Sequence, residues 1–159
     1  MTCRSLTDIV DAPRRVTVVR SGALGDTVLM LPALQVLRQR WPDAEITLVG
    51  SAWAERLRPL VPWPLEVARF DSPALTPLFG PEPADTQGLF AEADAVLVYG
   101  SDDLAGNVQQ VAGGPVVSCA LEPKADMHAA LHFARAVADI SADELPLPRL
   151  EAPDGGATV

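Results

Sequence analysis

Short runs of β-branched and aliphatic residues alternate with helical segments along most of this 159-residue chain. The runs predict strands at 15–20, 45–49, 65–70, 93–99 and 115–119. Helices are predicted at 26–41, 52–60, 102–112 and 127–140, with a kink or a restart at Pro32. Such alternation is typical of an open parallel sheet with helices on both faces, a Rossmann-like α/β fold. Sheets of this kind bind ligands at the carboxyl ends of their strands.

The length fits one domain with flanking segments. Residues 1–14 are predicted to be a loose leader, and 15–144 the Rossmann-like domain. Within it, the proline-rich stretch 71–90 is expected to be a loop with at most one short helix. Residues 145–159, rich in proline and glycine, are expected to form a linker or a frayed end.

Charge excludes one class of partner. The formal net charge is −9, and Lys124 is the only lysine, so the basic face that a nucleic-acid-binding protein needs is not expected. No run approaches the roughly 20 apolar residues of a membrane span. Cys3 and Cys119 lack metal-type spacing and are expected to be thiols of a reducing compartment. We therefore expect a cytoplasmic protein, which could lie peripherally at the inner membrane face.

A turn containing two glycines, Gly22 and Gly25, follows the first predicted strand. Glycines there either permit tight packing of helix on strand or open backbone N–H groups to an anionic ligand. The spacing is G-x-x-G, not the G-x-G-x-x-G of dinucleotide sites, and no acid follows the second strand to hold a ribose. A Gly-Lys-Ser/Thr phosphate loop is also missing from the sequence. A nicotinamide or ATP site is therefore not expected here.

The wider segment, Val18-Val19-Arg20-Ser21-Gly22-Ala23-Leu24-Gly25-Asp26 continuing to Leu31-Pro32-Ala33-Leu34, resembles the opening of family 9 glycosyltransferases, the heptosyltransferase-type enzymes. The similarity continues through Trp41-Pro42, the second strand and Ala54-Glu55-Arg56-Leu57. It is strong over residues 15 to about 60 and weaker beyond them, where His128 matches a family position.

This resemblance implies that the chain is the N-terminal, acceptor-side half of a two-domain GT-B fold. The family transfers a sugar from a nucleotide-sugar with inversion and without a metal ion, and its donor site lies in a C-terminal domain. We expect no cofactor in this chain beyond that donor, which a separate domain or subunit would bind. The expected partners are a glycan or sugar acceptor, in lipopolysaccharide or other cell-envelope glycan biosynthesis. The chain could be a fragment of a larger enzyme, half of a two-chain enzyme, or a non-catalytic sugar-binding or interaction module derived from it.

The resemblance makes Asp26 the general base, whereas position alone makes it the N-cap of the first helix; the two roles can coexist. Arg20 could hold an anionic group of the acceptor or pair with an acid beside the turn. The other expected acceptor contacts are Ser21, Gly22, Gly25, Gly50 and Ser51.

Two further features limit the chemistry. His128 and His132 share a helix face, but no third ligand is evident in the sequence, so His128 is expected to cap or pack its helix. The loop 120–126 offers Lys124 alone where a phosphorylated acceptor would call for several cations. A neutral or different sugar acceptor therefore stays open.

Overall fold

The computed structural model of the protein describes residues 4–152 and contains one five-stranded sheet. The strands are β1 (Arg15–Arg20), β2 (Glu45–Gly50), β3 (Glu66–Arg69), β4 (Ala95–Tyr99) and β5 (Val116–Cys119). All neighbouring strands run parallel, in the order β3-β2-β1-β4-β5. The predicted Rossmann-like fold is confirmed, and β1 lies at the centre of the sheet.

The helices are α1 (Leu24–Arg40), α2 (Ala52–Leu57), α3 (Asp102–Val111) and α4 (Ala129–Arg135). Short 3₁₀ helices lie at Leu6–Asp8, Arg58–Leu60, Pro73–Phe79 and Ala142–Glu144. Within residues 4–152, no helix combines the length and apolar character that a bilayer span needs.

Alternate side chains of each strand enter two separate cores, as expected when both faces of a sheet are covered. Val18 packs with α1 and α4 residues on one face, whereas Val19 packs on the other with Val108 of α3 and the 3₁₀ helix Pro73–Phe79. The predicted helices on both faces are therefore present. Loop 71–90 contributes buried Leu75 and Leu78 from its short helix.

Of the kink or restart expected at Pro32, the restart does not occur. α1 runs without a break from Leu24 to Arg40, and Pro32 is buried in its middle. A proline within a helix removes one backbone hydrogen bond. The buried apolar side chains that surround it, from Met30 to Leu37, offset that loss.

The predicted leader and the end of the last predicted helix both differ from expectation. The leader is not loose over residues 5–10, because Leu6 is fully buried in the core and its N–H donates to the Ala136 carbonyl (2.8 Å). The N–H of Thr7 likewise donates to the Val137 carbonyl (2.9 Å). α4 ends at Arg135 and not at 140, and these two carbonyls lie immediately beyond its end. Of the predicted tail 145–159, residues 153–159 lie outside the described residues.

Candidate functional site at the carboxyl edge of the sheet

The ends of three neighbouring strands are aligned at one edge of the sheet. In the strand register Arg20 pairs with Gly50, and Gly50 pairs with Arg69. The turn 21–23, the Gly50–Ser51 corner and the segment after β3 consequently emerge side by side. The structure thus brings the residues predicted from the sequence to the edge where parallel sheets bind ligands.

The turn after β1 depends on a close approach at Gly22. Its φ is +153°, a conformation that L side chains rarely adopt, and a Cβ added there would lie 2.7 Å from Oδ2 of Asp26. The helix begins at Leu24 with Ala23 as its N-cap, so the expectation that Asp26 is the N-cap is wrong. Asp26 instead reaches back from the third helical position, and its Oδ2 accepts the Ala23 N–H at 3.0 Å.

Arg20 pairs with the acid beside the turn, which is one of the two roles considered from the sequence. Its Nη2 lies 3.0 Å from Oδ1 of Asp26, and its side chain is only 9% exposed, against 42% for Asp26. The two oxygens of Asp26 therefore have different partners, the guanidinium on one side and the helix N-terminus on the other.

The buried guanidinium is surrounded by its own turn and by α4. Nη1 donates to the Ser21 carbonyl, and Cζ lies 5.6 Å from the ring centroid of Phe133. The Nε atom is buried and has no hydrogen-bond partner among the described residues. Phe133 is in turn fixed by Tyr99, whose hydroxyl donates to the Phe133 carbonyl at 2.6 Å. The contact between Arg20 and Phe133 could not be predicted from the sequence, because the two residues lie far apart along the chain.

The remaining predicted residues have local roles in the structure. A Cβ at Gly50 would lie 2.8 Å from the Cβ of Ala54, so this glycine lets α2 pack closely against β2. Ser51 is the N-cap of α2, and its Oγ accepts the Trp53 N–H at 3.3 Å. A Cβ at Gly25 would have nothing within 4 Å, which leaves the first turn of α1 open to a ligand at that point.

A second charged group at the same edge was not predicted. Arg69, the last residue of β3, contacts Oε2 of Glu55 at 3.0 Å and Oδ2 of Asp71 at 2.8 Å. The hydrogen bond to Arg69 lowers the pKa of Asp71. The hydrogen bonds to Asp71 and Glu55 in turn raise the pKa of Arg69. An arginine closing a strand, as Arg20 closes β1, is the signal that could have identified it.

The two histidines lie on α4: His128 at its start, and His132 against the end of β5. His128 is the N-cap of α4, and its Nδ1 accepts the Ala130 N–H at 3.2 Å, which confirms the expected capping role. Nε2 of His132 lies 2.7 Å from the Ala120 carbonyl and 3.5 Å from Sγ of Cys119.

Three cavities lie away from the turn. One, of about 210 Å³, opens at the amino edge of the sheet, where Arg15 is paired with Glu45 and Glu92. The other two, of about 540 and 390 Å³, lie beside Trp63 and its neighbouring prolines. None of the three is lined by a residue of the turn. The candidate site therefore rests on the geometry of Arg20 and Asp26.

The parallel strand order, together with helices on both faces of the sheet, defines a Rossmann-like α/β domain. Solved structures that share this fold include two glycosyltransferases. A glycosyl transferase of family 9 from Veillonella parvula DSM 2008 superimposes with a TM-score of 0.55 and 19% identity, covering 77% of this chain and 40% of that one. The E. coli heptosyltransferase WaaC, solved with ADP-2-deoxy-2-fluoro heptose, superimposes with a TM-score of 0.51 and 16% identity, covering 77% of this chain and 46% of that one.

The predicted resemblance to family 9 glycosyltransferases is thus confirmed at the level of the fold. The protein has a glycosyltransferase-like, heptosyltransferase-like α/β fold, and it spans less than half the length of either structure. In sequence comparisons, no protein-family model and no curated protein matches the chain.

Proposed function

We propose that this chain is the acceptor-binding half of an inverting, metal-independent glycosyltransferase. It would transfer a heptose-like sugar from a nucleotide-sugar to a glycan acceptor, together with a donor-binding domain or subunit. The observation that carries the proposal is the Asp26 carboxylate, held by Arg20 at the carboxyl end of the central strand. The glycosyltransferase fold of the two similar structures supports it.

In this proposal Asp26 is the general base. It takes the proton of an acceptor hydroxyl while that oxygen bonds to the anomeric carbon, and the bond from that carbon to the nucleotide diphosphate breaks on the opposite face. Each carboxylate oxygen can accept about two hydrogen bonds. Oδ1 and Oδ2 have one identified partner each, Arg20 and the Ala23 N–H, so accepting capacity remains for the hydroxyl.

The acceptor would lie along the turn and the neighbouring corner. Gly25 leaves the start of α1 open, and the bond that the Ser51 Oγ accepts leaves its hydroxyl proton for a sugar oxygen. Ser21, Gly22 and Gly50 border the same edge. Because Arg69 is already paired with two acids there, a neutral sugar fits this edge better than a phosphorylated one.

A cytoplasmic location goes with this function, with peripheral contact at the inner membrane face where cell-envelope glycan precursors are assembled. The nucleotide-sugar would be the only cofactor-like molecule, bound outside this chain. We also propose that the chain is inactive in transfer without its donor-binding partner.

A non-catalytic sugar-binding or interaction module is the second candidate. The observation that favours it is that both oxygens of Asp26 already bond within the chain, as a carboxylate with a purely structural role would.

Transfer kinetics with Asp26→Asn separate the two candidates. The protein is supplied with its donor-binding domain, a nucleotide-sugar panel and neutral glycan acceptors. We expect kcat to fall by roughly 10²–10⁴-fold with a small change in KM, because the amide cannot take the proton. Asp43→Asn is the matched control, since Asp43 is an exposed carboxylate between α1 and β2 at the opposite edge. Unchanged activity in Asp26→Asn would remove the base assignment, and sugar binding without any transfer by the wild type would establish the module.

A further inference from the structure

We infer that Arg20 is a positioning residue for Asp26, and not a ligand of the acceptor. The inference rests on the proposed function. Of the polar atoms of the guanidinium, Nη2 contacts Asp26 and Nη1 contacts the Ser21 carbonyl. The side chain is about nine-tenths buried, so it has little surface with which to meet a sugar.

Arg20 and the helix N-terminus fix the carboxylate from two sides. With Oδ1 held at 3.0 Å by Nη2 and Oδ2 held at 3.0 Å by the Ala23 N–H, the plane of the carboxylate cannot turn without losing one of these contacts. A general base works only when its lone pair points at the proton it removes. Holding both oxygens therefore sets the direction in which Asp26 can accept a proton.

The support for Arg20 extends into the core. The guanidinium lies 5.6 Å from the Phe133 ring centroid, and Tyr99 meets that ring edge-on at 5.3 Å. Through Arg20, the orientation of Asp26 consequently depends on α4 and β4, which carry Phe133 and Tyr99. An acceptor ligand would instead need a guanidinium that can extend toward solvent.

Kinetics distinguish positioning from binding. In Arg20→Gln we expect kcat to fall by about 10²-fold, as a misplaced catalytic group can cost, while the acceptor KM changes by less than about threefold. Arg20→Lys restores part of kcat, because it keeps the charge but not the planar fork. Arg15→Gln, at the exposed start of the same strand, is the matched control and leaves both constants unchanged. A raised KM with unchanged kcat in Arg20→Gln would overturn the inference.

A second readout needs no activity. In isotope-labelled protein we expect Arg20→Gln to move the Ala23 amide resonance and the Asp26 carboxyl carbon resonance, while Arg15→Gln moves neither. If Arg20→Gln does not fold, Arg20→Lys carries the same comparison. Unmoved Ala23 and Asp26 resonances in a folded Arg20 variant contradict the inference. Absence of transfer by the wild type would instead count against the proposed function, and the two failures remain distinguishable.

Discussion

At the scale of single residues, the turn after β1 depends on the close approach of the Asp26 carboxylate to the backbone of Gly22. Gly22 has no side chain, and this allows the Asp26 carboxylate to fold back over the turn to the Ala23 N–H. Any Cβ at position 22 would collide with that carboxylate, in addition to the unfavourable φ of +153°. Gly25, three residues on, has no such constraint.

Gly22→Ala should therefore destabilise the protein and displace Asp26. We expect a loss of about 1–3 kcal/mol in the free energy of unfolding, from strained backbone and the displaced carboxylate, measured by urea denaturation. Gly25→Ala is the matched control: its Cβ meets nothing within 4 Å and alanine favours a helix, so we expect a gain of up to about 1 kcal/mol. Equal effects of the two substitutions would contradict this account of the turn.

At the scale of elements, Asp94 joins the beginnings of two neighbouring strands. Its Oδ2 accepts the N–H groups of Arg14 (2.7 Å) and Arg15 (3.0 Å), immediately before and at the start of β1. These backbone hydrogen bonds lower the pKa of Asp94, because they stabilise its ionised form. A carboxyl whose pKa is lowered by folding adds stability above its unfolded pKa and loses it as the pH falls toward the folded pKa.

Asp94→Asn should consequently cost stability in a pH-dependent way. We expect a loss of about 1 kcal/mol at pH 7, discounted from the usual value for bonds to charged groups because the site is exposed. The loss should shrink as the pH falls below about 4, where the unfolded carboxyl protonates. Urea denaturation of both proteins at pH 7 and pH 3.5 measures it, and a difference that grows toward acid would refute the assignment.

The elements themselves were largely predictable, and their ends were not. Strand runs such as Val16–Val19 are local patterns of β-branched residues, and the structure places all five strands within a few residues of the prediction. At the start of α1 the Asp26 carboxylate accepts the Ala23 N–H, and just beyond the end of α4 the Ala136 and Val137 carbonyls accept bonds from Leu6 and Thr7. Contacts between distant segments carry no periodic signal in the sequence. The same reason hides the place of Phe133 beside Arg20.

At the scale of the whole molecule, the segment 5–10 is part of the fold. Leu6 is fully buried in the core cluster that includes α1 and α4, whereas Ile9, one turn further on, is 41% exposed. The segment therefore closes the core beyond the end of α4.

Leu6→Ala should cost roughly 2–4 kcal/mol in the free energy of unfolding, because it removes buried methyl groups and leaves a cavity. Ile9→Ala, which removes a similar side chain from an exposed position, should cost much less. Thermal and urea denaturation of the two variants test this. Similar losses in both would show that the segment does not complete the core.

The central claim is that the carboxyl edge at the end of β1 holds a sugar acceptor. The most direct measurement is the change in backbone amide resonances of isotope-labelled protein on titration with a panel of neutral mono- and oligosaccharides. We predict that a binding sugar shifts the amides of Ser21–Asp26 and of Gly50 and Ser51. Shifts confined to the opposite edge, around Arg15 and Glu45, or no saturable shift with any member of the panel, would contradict the claim.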